Sequence, residues 1–385
     1  MARVPGEIIE LFQEHFRTDT TPAVYRAPGR VNLIGEHTDY NLGYVFPIAL
    51  EMACYVAIAP ANHEKLRVYS CDMNEEFALE AAKLPQATPT HKWHDYVVGV
   101  GRELVSAGVT IQSADLCIKS MVPAGSGLSS SASLEISTAL ALLGDRPMKP
   151  LEIALLGQRA ESGFVGMPCG IMDQYASVFG QAGAAIQIDC RSQNHQYVEL
   201  PQNVSILAVN SMVKHELGTS AYRERVAECQ AAVAAIRKIE PEVHSLRDVP
   251  LATFERIQEK VPVTPRKRAR HVISETQRVL DFAAAARAND LPEMGRLFIE
   301  SHRSMQHDYE ITCEEIDFLV DRAIKLPGVY GARMTGGGFG GCTVNLVAPE
   351  RVADFREALV KTYQERFHII PAFYDCKPAA GAGRI

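Results

Sequence analysis
A length of 385 residues supplies material for about two domains. The hydrophobic fraction of 47% and charged fraction of 22% are those of an ordinary globular protein. A net charge of -7 argues against a nucleic-acid surface, no apolar run is long enough for a membrane span, and Glu7 and Glu10 stand where a signal peptide would be apolar. A cytoplasmic protein meeting neither nucleic acid nor membrane is expected.

The periodicity predicts a short amphipathic helix over 6–16, then strands around Val24, 31–34, 45–49, 54–59 and 66–69. Helices follow at 93–106, 129–143 and 151–162, and strands at 184–189 and 205–209. Beyond Ser220 the pattern turns largely helical, with 223–238, 268–288 and 291–302 clearest, before strands at 330–334 and 342–347. A sheet-rich first half and a helix-rich second half indicate an α+β protein, divided near residue 200. The basic run 266–271 is expected to form a solvated helical face, since no aromatic residue is interleaved with its charges. The nine cysteines form no C-x-x-C pair and are expected to be reduced and mostly buried. Zinc is not expected: His215-Glu216 opens like a zincin helix, but Thr219 replaces the second histidine, and His302 and His307 lie five apart.

Four stretches carry chemistry. In 122–132 (VPAGSGLSSSA) a strand passes through glycines into a helix opened by three serines, an arrangement suited to polyphosphate. The strand before it alternates, with Leu116, Ile118 and Val122 apolar against Asp115 and Lys119, so it is expected to be half-buried. The helix stops at Gly144. The Walker lysine is absent. A dinucleotide fingerprint is disfavoured because Ser130 replaces its third glycine and Pro123 interrupts the strand, although Asp145 lies at a plausible distance for a ribose. By itself the stretch is equally a capped turn.

The second stretch, 26–40 (RAPGRVNLIGEHTDY), concentrates charge beside Pro and Gly: Glu36 and Asp39 suit sugar hydroxyls and Arg30 suits a phosphoryl group, with exposed loop charges as the alternative. In the third, Glu161 falls at a helix carboxyl end, where a cation such as Mg²⁺ would relieve the dipole conflict. Asp173 in the same stretch is either an N-cap or an acceptor of a hydroxyl proton. The fourth, 333–342, holds five glycines between two strands and requires a close backbone approach.

Together and in this order, from Ala27 to Gly341, the stretches resemble the GHMP small-molecule kinases. Residues 29–41 are similar to the signature of the members that phosphorylate galactose, and 127–132 to the superfamily's ATP motif. The resemblance implies the two-domain GHMP kinase fold, with halves 1–202 and 203–385 and the active site between them. It implies ATP-dependent phosphorylation of galactose at the anomeric hydroxyl, the entry step of galactose catabolism, by a monomer. By the same resemblance Glu36, His37, Asp39, Asp173 and Tyr222 bind galactose, with Asp173 accepting the proton and Arg30 stabilising the transferring γ-phosphoryl. Gly125, Ser126, Gly127, Leu128, Ser129, Ser130 and Ser131 wrap the phosphates of ATP, Ser131 and Glu161 contact Mg²⁺, and Trp93 stacks on adenine. His94-Asp95 departs from the small residue and Asn that the family shows after this tryptophan. The rival readings are a kinase of N-acetylgalactosamine, arabinose or another monosaccharide, and a catalytically silent sugar and ATP sensor.

Overall fold
The computed structural model describes residues 4–214 and 218–385, so His215 and Glu216 of the discarded zinc motif lie outside the described residues. Helix α1 (Val4–Phe16) precedes β1 (Ala23–Asn32), β2 (Tyr44–Val45), the long β3 (Pro47–Pro60), β4 (Lys65–Ser70) and β5 (Glu75–Glu80). Then come α2 (Asp95–Ser106), β6 (Ala114–Ser120), α3 (Ser130–Leu143), α4 (Pro150–Arg159), α5 (Met172–Phe179), β7 (Ala184–Asp189), β8 (Asn194–Glu199) and β9 (Ser205–Lys214). Helices α6 (Gly218–Arg237), α7 (Leu251–Ile257), α8 (Val263–Arg287), α9 (Leu291–Ser304) and α10 (Glu314–Ala323) follow, then β10 (Val329–Thr335), β11 (Gly340–Val347), α11 (Val352–Phe367), β12 (Ala372–Asp375) and β13 (Gly383–Arg384).

Three sheets result, ordered β13-β1-β3-β6-β4-β5, β10-β11-β9-β12 and β2-β7-β8. All pairings are antiparallel except β4 with β6. The expected separate strands near Val24 and 31–34 are one strand, because Pro28 and Gly29 are absorbed by a register shift between Pro28 and Arg30. Likewise 54–59 and all of 45–49 but its start join in β3, Val45 falling in β2, with only Glu51 facing out at mid-strand, and β5, β8 and β12 were not legible in the pattern.

Two expectations fail for one physical reason, which is that charge does not imply exposure where a partner is available. Strand β6 is buried along most of its length, with helices on both faces, and Asp115 is 8% exposed because Arg67 binds its two oxygens at 2.6 and 2.7 Å. The basic run in α8 is not a wholly solvated face: Arg268 is 2% exposed and pairs with Glu228 and Glu310, Arg270 pairs with Asp308, and His271 is fully buried. The largest hydrophobic cluster takes Val31, Leu33 and Phe46 together with Phe282, Phe298 and Val344, so the apolar core runs unbroken across residue 202. All nine cysteines are free thiols, six of them buried.

Candidate active site
A cavity of about 550 Å³ is lined by residues from all four stretches. It forms where β1, the loop before α3, the start of α5 and the β10–β11 glycine loop converge. The Arg30 amide donates to the Leu128 carbonyl at 3.1 Å, which pins the phosphate-type loop to β1. Gly336, at φ 90°, brings its backbone so close to that loop that a β-carbon would lie 3.1 Å from the Gly127 carbonyl oxygen. The close approach required of the glycine run is therefore an approach to the first loop.

Asp173 lies in the first turn of α5, two residues past the N-cap Ile171, so it is not the cap. Arg30 grips it bidentately: Nε donates to Oδ1 and Nη2 to Oδ2, both at 2.9 Å, while Nη1 donates to the Gly127 carbonyl at 2.7 Å. Ser129 also donates to Oδ2 from a left-handed backbone position. One carboxylate thus joins the guanidinium of β1 to the hydroxyl that opens α3. The arginine is 5% exposed and the aspartate 25%, which leaves the carboxylate facing the cavity.

On the opposite wall, Glu36 is 1% exposed. It accepts from the Gly336 amide at 3.2 Å and is paired with the fully buried Arg333; burial pushes its carboxyl up against that opposing charge. Arg333 in turn donates to the Leu33 carbonyl at 2.7 Å and faces Glu275, whose carboxyl also accepts from the Gly35 amide and Ser301. His37 holds the left-handed φ of 61° and bonds Tyr40 Oη through Nδ1 at 2.8 Å; burial lowers it to about 3, so it is neutral. Tyr40 passes the chain to Tyr309 at 2.7 Å, and the Tyr222 ring packs 5.1 Å from His37. Asp39 is pushed up to about 6 by desolvation and then by the charge of Asp173. Its seat requires Gly170, where a β-carbon would collide with the Asp39 carboxylate.

Ser131 and Glu161 meet as well. Glu161 sits in a π-helical turn after α4, 6% exposed, bonded to the Ser131 hydroxyl and pushed up to about 7 by burial and then by Asp173. Gln174 Nε2 bridges it at 2.7 Å to a second buried carboxyl, Glu135, at 2.8 Å. Among the described residues no cation pairs with Glu161, and no group of three or more His, Cys, Asp or Glu is arranged to hold a metal. Gly125, Gly127, Ser129, Ser130 and Ser131 line the cavity, whereas Ser126 and Leu128 turn inward: Ser126 bonds the Pro123 carbonyl and Leu128 is fully buried. Trp93 is not brought to the cavity wall. Its indole donates to Glu75 at 2.9 Å and its ring packs on the core beside α2; His91 and Tyr96 are the neighbours that reach the cavity.

Arg333, Glu275, Gln174 and Tyr309 were missed as supports of the site. Arg333 carried a signal, being a lone charge in an otherwise apolar strand pattern, and Gln174 directly follows Asp173; Glu275 and Tyr309 lie on helices with nothing local to mark them.

The geometry has counterparts. The model described as galactokinase galactose-binding signature matches residues 10–60, GHMP kinases N terminal domain matches 95–181, and GHMP kinases C terminal matches 282–365. Mevalonate kinase of Methanococcus jannaschii superposes with a TM-score of 0.66 at 18% identity over 94% of this chain and 100% of that one, a likeness of fold. These findings define a GHMP kinase. At closer range, galactokinase of Roseiflexus sp. is 43% identical over 99% of this chain and 97% of its own, and that of Actinobacillus succinogenes 42% over 97% of each. A structure of Lactococcus lactis galactokinase complexed with galactose superposes with a TM-score of 0.95 at 34% identity, covering 99% of this chain and all of that one. The chain belongs to the galactokinase family.

Proposed function
We propose that the cleft transfers the γ-phosphoryl group of ATP to the anomeric hydroxyl of D-galactose, giving galactose 1-phosphate and ADP. The observation that carries this reading is the junction of Arg30, Asp173 and Ser129 where the glycine-lined helix start meets the acidic pocket. Phosphoryl transfer asks chiefly for in-line positioning and charge stabilisation, and both are supplied by fixed groups there.

In this reading Asp173 accepts the hydrogen of the attacking hydroxyl. Arg30 spends three donors on Asp173 and Gly127, and its remaining N–H groups face the transferring phosphoryl. The amides of 125–131 and the start of α3 receive the polyphosphate. Glu36 and Asp39 accept from sugar hydroxyls, neutral His37 offers its second ring nitrogen, and Tyr222 closes the pocket. The Ser131 hydroxyl and the buried carboxyl of Glu161, which pairs with no cation among the described residues, are hard oxygen donors that fit Mg²⁺, which when bound neutralises phosphate charge. Residues 1–202 carry most of these groups and 203–385 contribute Tyr222 and the glycine loop. The protein acts as a cytoplasmic monomer on small molecules alone.

The test is ADP release with galactose, N-acetylgalactosamine, arabinose and glucose in turn. Preferential turnover of galactose supports the reading; preference for any of the others overturns the substrate, and sugar-independent ADP release overturns the reaction.

A further inference from the structure
Outside the residues that line the cleft, two thiols touch. The Sγ atoms of Cys71 and Cys117 lie 3.2 Å apart, and among the described residues these are the two cysteines whose sulfurs meet. They belong to the parallel pair β4 and β6: Tyr69 is registered with Cys117, and Cys71 extends the ladder by donating its amide to the Ile118 carbonyl at 2.9 Å. Alternation puts residues 69, 71, 117 and 119 on one face, which is the face covered by Ile8 and Phe12 of α1. A disulfide needs the sulfurs at about 2.05 Å, so the pair must close by only about 1 Å. Cys71 begins the β4–β5 turn and has a side-chain torsion to give.

The two thiols differ in the way an oxidisable pair requires. Cys117 is fully buried, while Cys71 is half-buried at the turn. The hydrogen bond between the two sulfurs holds Cys71 below the ordinary thiol range, and the same bond together with burial pushes Cys117 up. Cys71 is therefore the attacking thiolate and Cys117 the sheltered resolving thiol.

We propose that Cys71 and Cys117 form a redox-modification site, a dithiol that closes to a disulfide when the protein meets a peroxide or a small-molecule disulfide. With hydrogen peroxide, the Cys71 thiolate attacks one oxygen and becomes a sulfenic acid, releasing hydroxide. Cys117 then attacks that sulfur, the S–O bond breaks, and water leaves; two thiols and one peroxide give one disulfide and two waters. With glutathione disulfide, Cys71 first takes one glutathionyl group and Cys117 displaces it as free glutathione. The new bond would fasten the 71–74 turn to the strand that delivers the phosphate-binding loop. Asp72 already ties that turn to the Ser120 amide at 2.7 Å.

The experiment treats the purified full chain with hydrogen peroxide and, separately, glutathione disulfide, then counts thiols in denaturant and maps cross-linked peptides by mass spectrometry. The expected result is loss of two of the nine thiols, a linked pair of peptides carrying Cys71 and Cys117, and recovery of both thiols with dithiothreitol. Cys117→Ser should leave glutathione stably on Cys71, and Cys71→Ser should lose no thiol pair. Oxidation that links other cysteines, or a stable glutathione adduct on Cys71 in the unsubstituted protein with Cys117 still free, would overturn the proposal.

Discussion

Asp173→Asn keeps the volume of the side chain and removes its charge, which separates the chemical role of this residue from its structural one. The variant presents an amide to a guanidinium that had two bonds of 2.9 Å to the carboxylate. Breaking a buried ion pair costs about 3–5 kcal/mol. Here the cost is smaller, because Asp173 is 25% exposed and Gly127 still accepts from Arg30; about 1.5–3 kcal/mol is expected, the range for losing one charged hydrogen bond. Loss of a proton acceptor lowers turnover by about 10²- to 10⁴-fold, or roughly 3–5 kcal/mol of barrier. Turnover should therefore fall much further than stability. Galactose-dependent ADP release gives kcat, urea unfolding gives stability, and Arg30→Met with the double variant completes a cycle in which the losses in kcat are less than additive. A kcat within about threefold of the starting protein, accompanied by the same loss of stability, would reduce the pair to a structural tie and refute the reasoning.

Arg333→Met leaves Glu36 and Glu275 buried without their shared cation, and unfolding should show a loss of about 3–5 kcal/mol. On the proposed reading, in which Glu161 holds Mg²⁺, Gln174→Met removes its hydrogen-bond support, and the Mg²⁺ concentration for half-maximal activity should rise about 10- to 100-fold. Asp39 is raised to about 6 in the folded protein, so the sugar-free protein is favoured at low pH and loses that contribution as pH rises from about 4 through about 6. Asp39→Asn should flatten this slope in pH-dependent melting, and should also abolish a fall in the KM for galactose over the same window. Glu275 runs the other way: lowered to about 2 by Arg278 and Arg333 against its burial, it stabilises the fold above about 4.5, and that contribution disappears as pH falls toward 2. Melting of Glu275→Gln below pH 5 checks it.

Much of the cleft was legible because its parts are local. Gly127 to Ser131 combine glycine with the start of a helix in a few residues, and Arg30, Glu36 and Asp39 lie on one short stretch of chain. What sequence could not convey was pairing at a distance. Asp115 and Lys119 were polar positions in an alternating strand, yet Arg67 and α1 cover them; Arg268 read as a surface charge until Glu228 and Glu310 closed over it. Trp93 shows the converse limit, for its bond to Glu75 and its packing beside α2 are contacts that the motif does not convey. Arg333 and Gln174 act through contacts with residues hundreds or tens of positions away, and no spacing rule reaches them.

The first sheet is bordered by β13, whose Gly383 and Arg384 pair with Arg26 and Tyr25, while the Ile385 amide donates to the Val24 carbonyl at 3.0 Å. During translation the strand that presents Arg30 therefore waits with an open border until residues more than 350 positions later emerge. Nascent chains are exposed in that interval to pairing with a neighbour's strand, and shortening the chain by these few residues would make the vulnerability permanent.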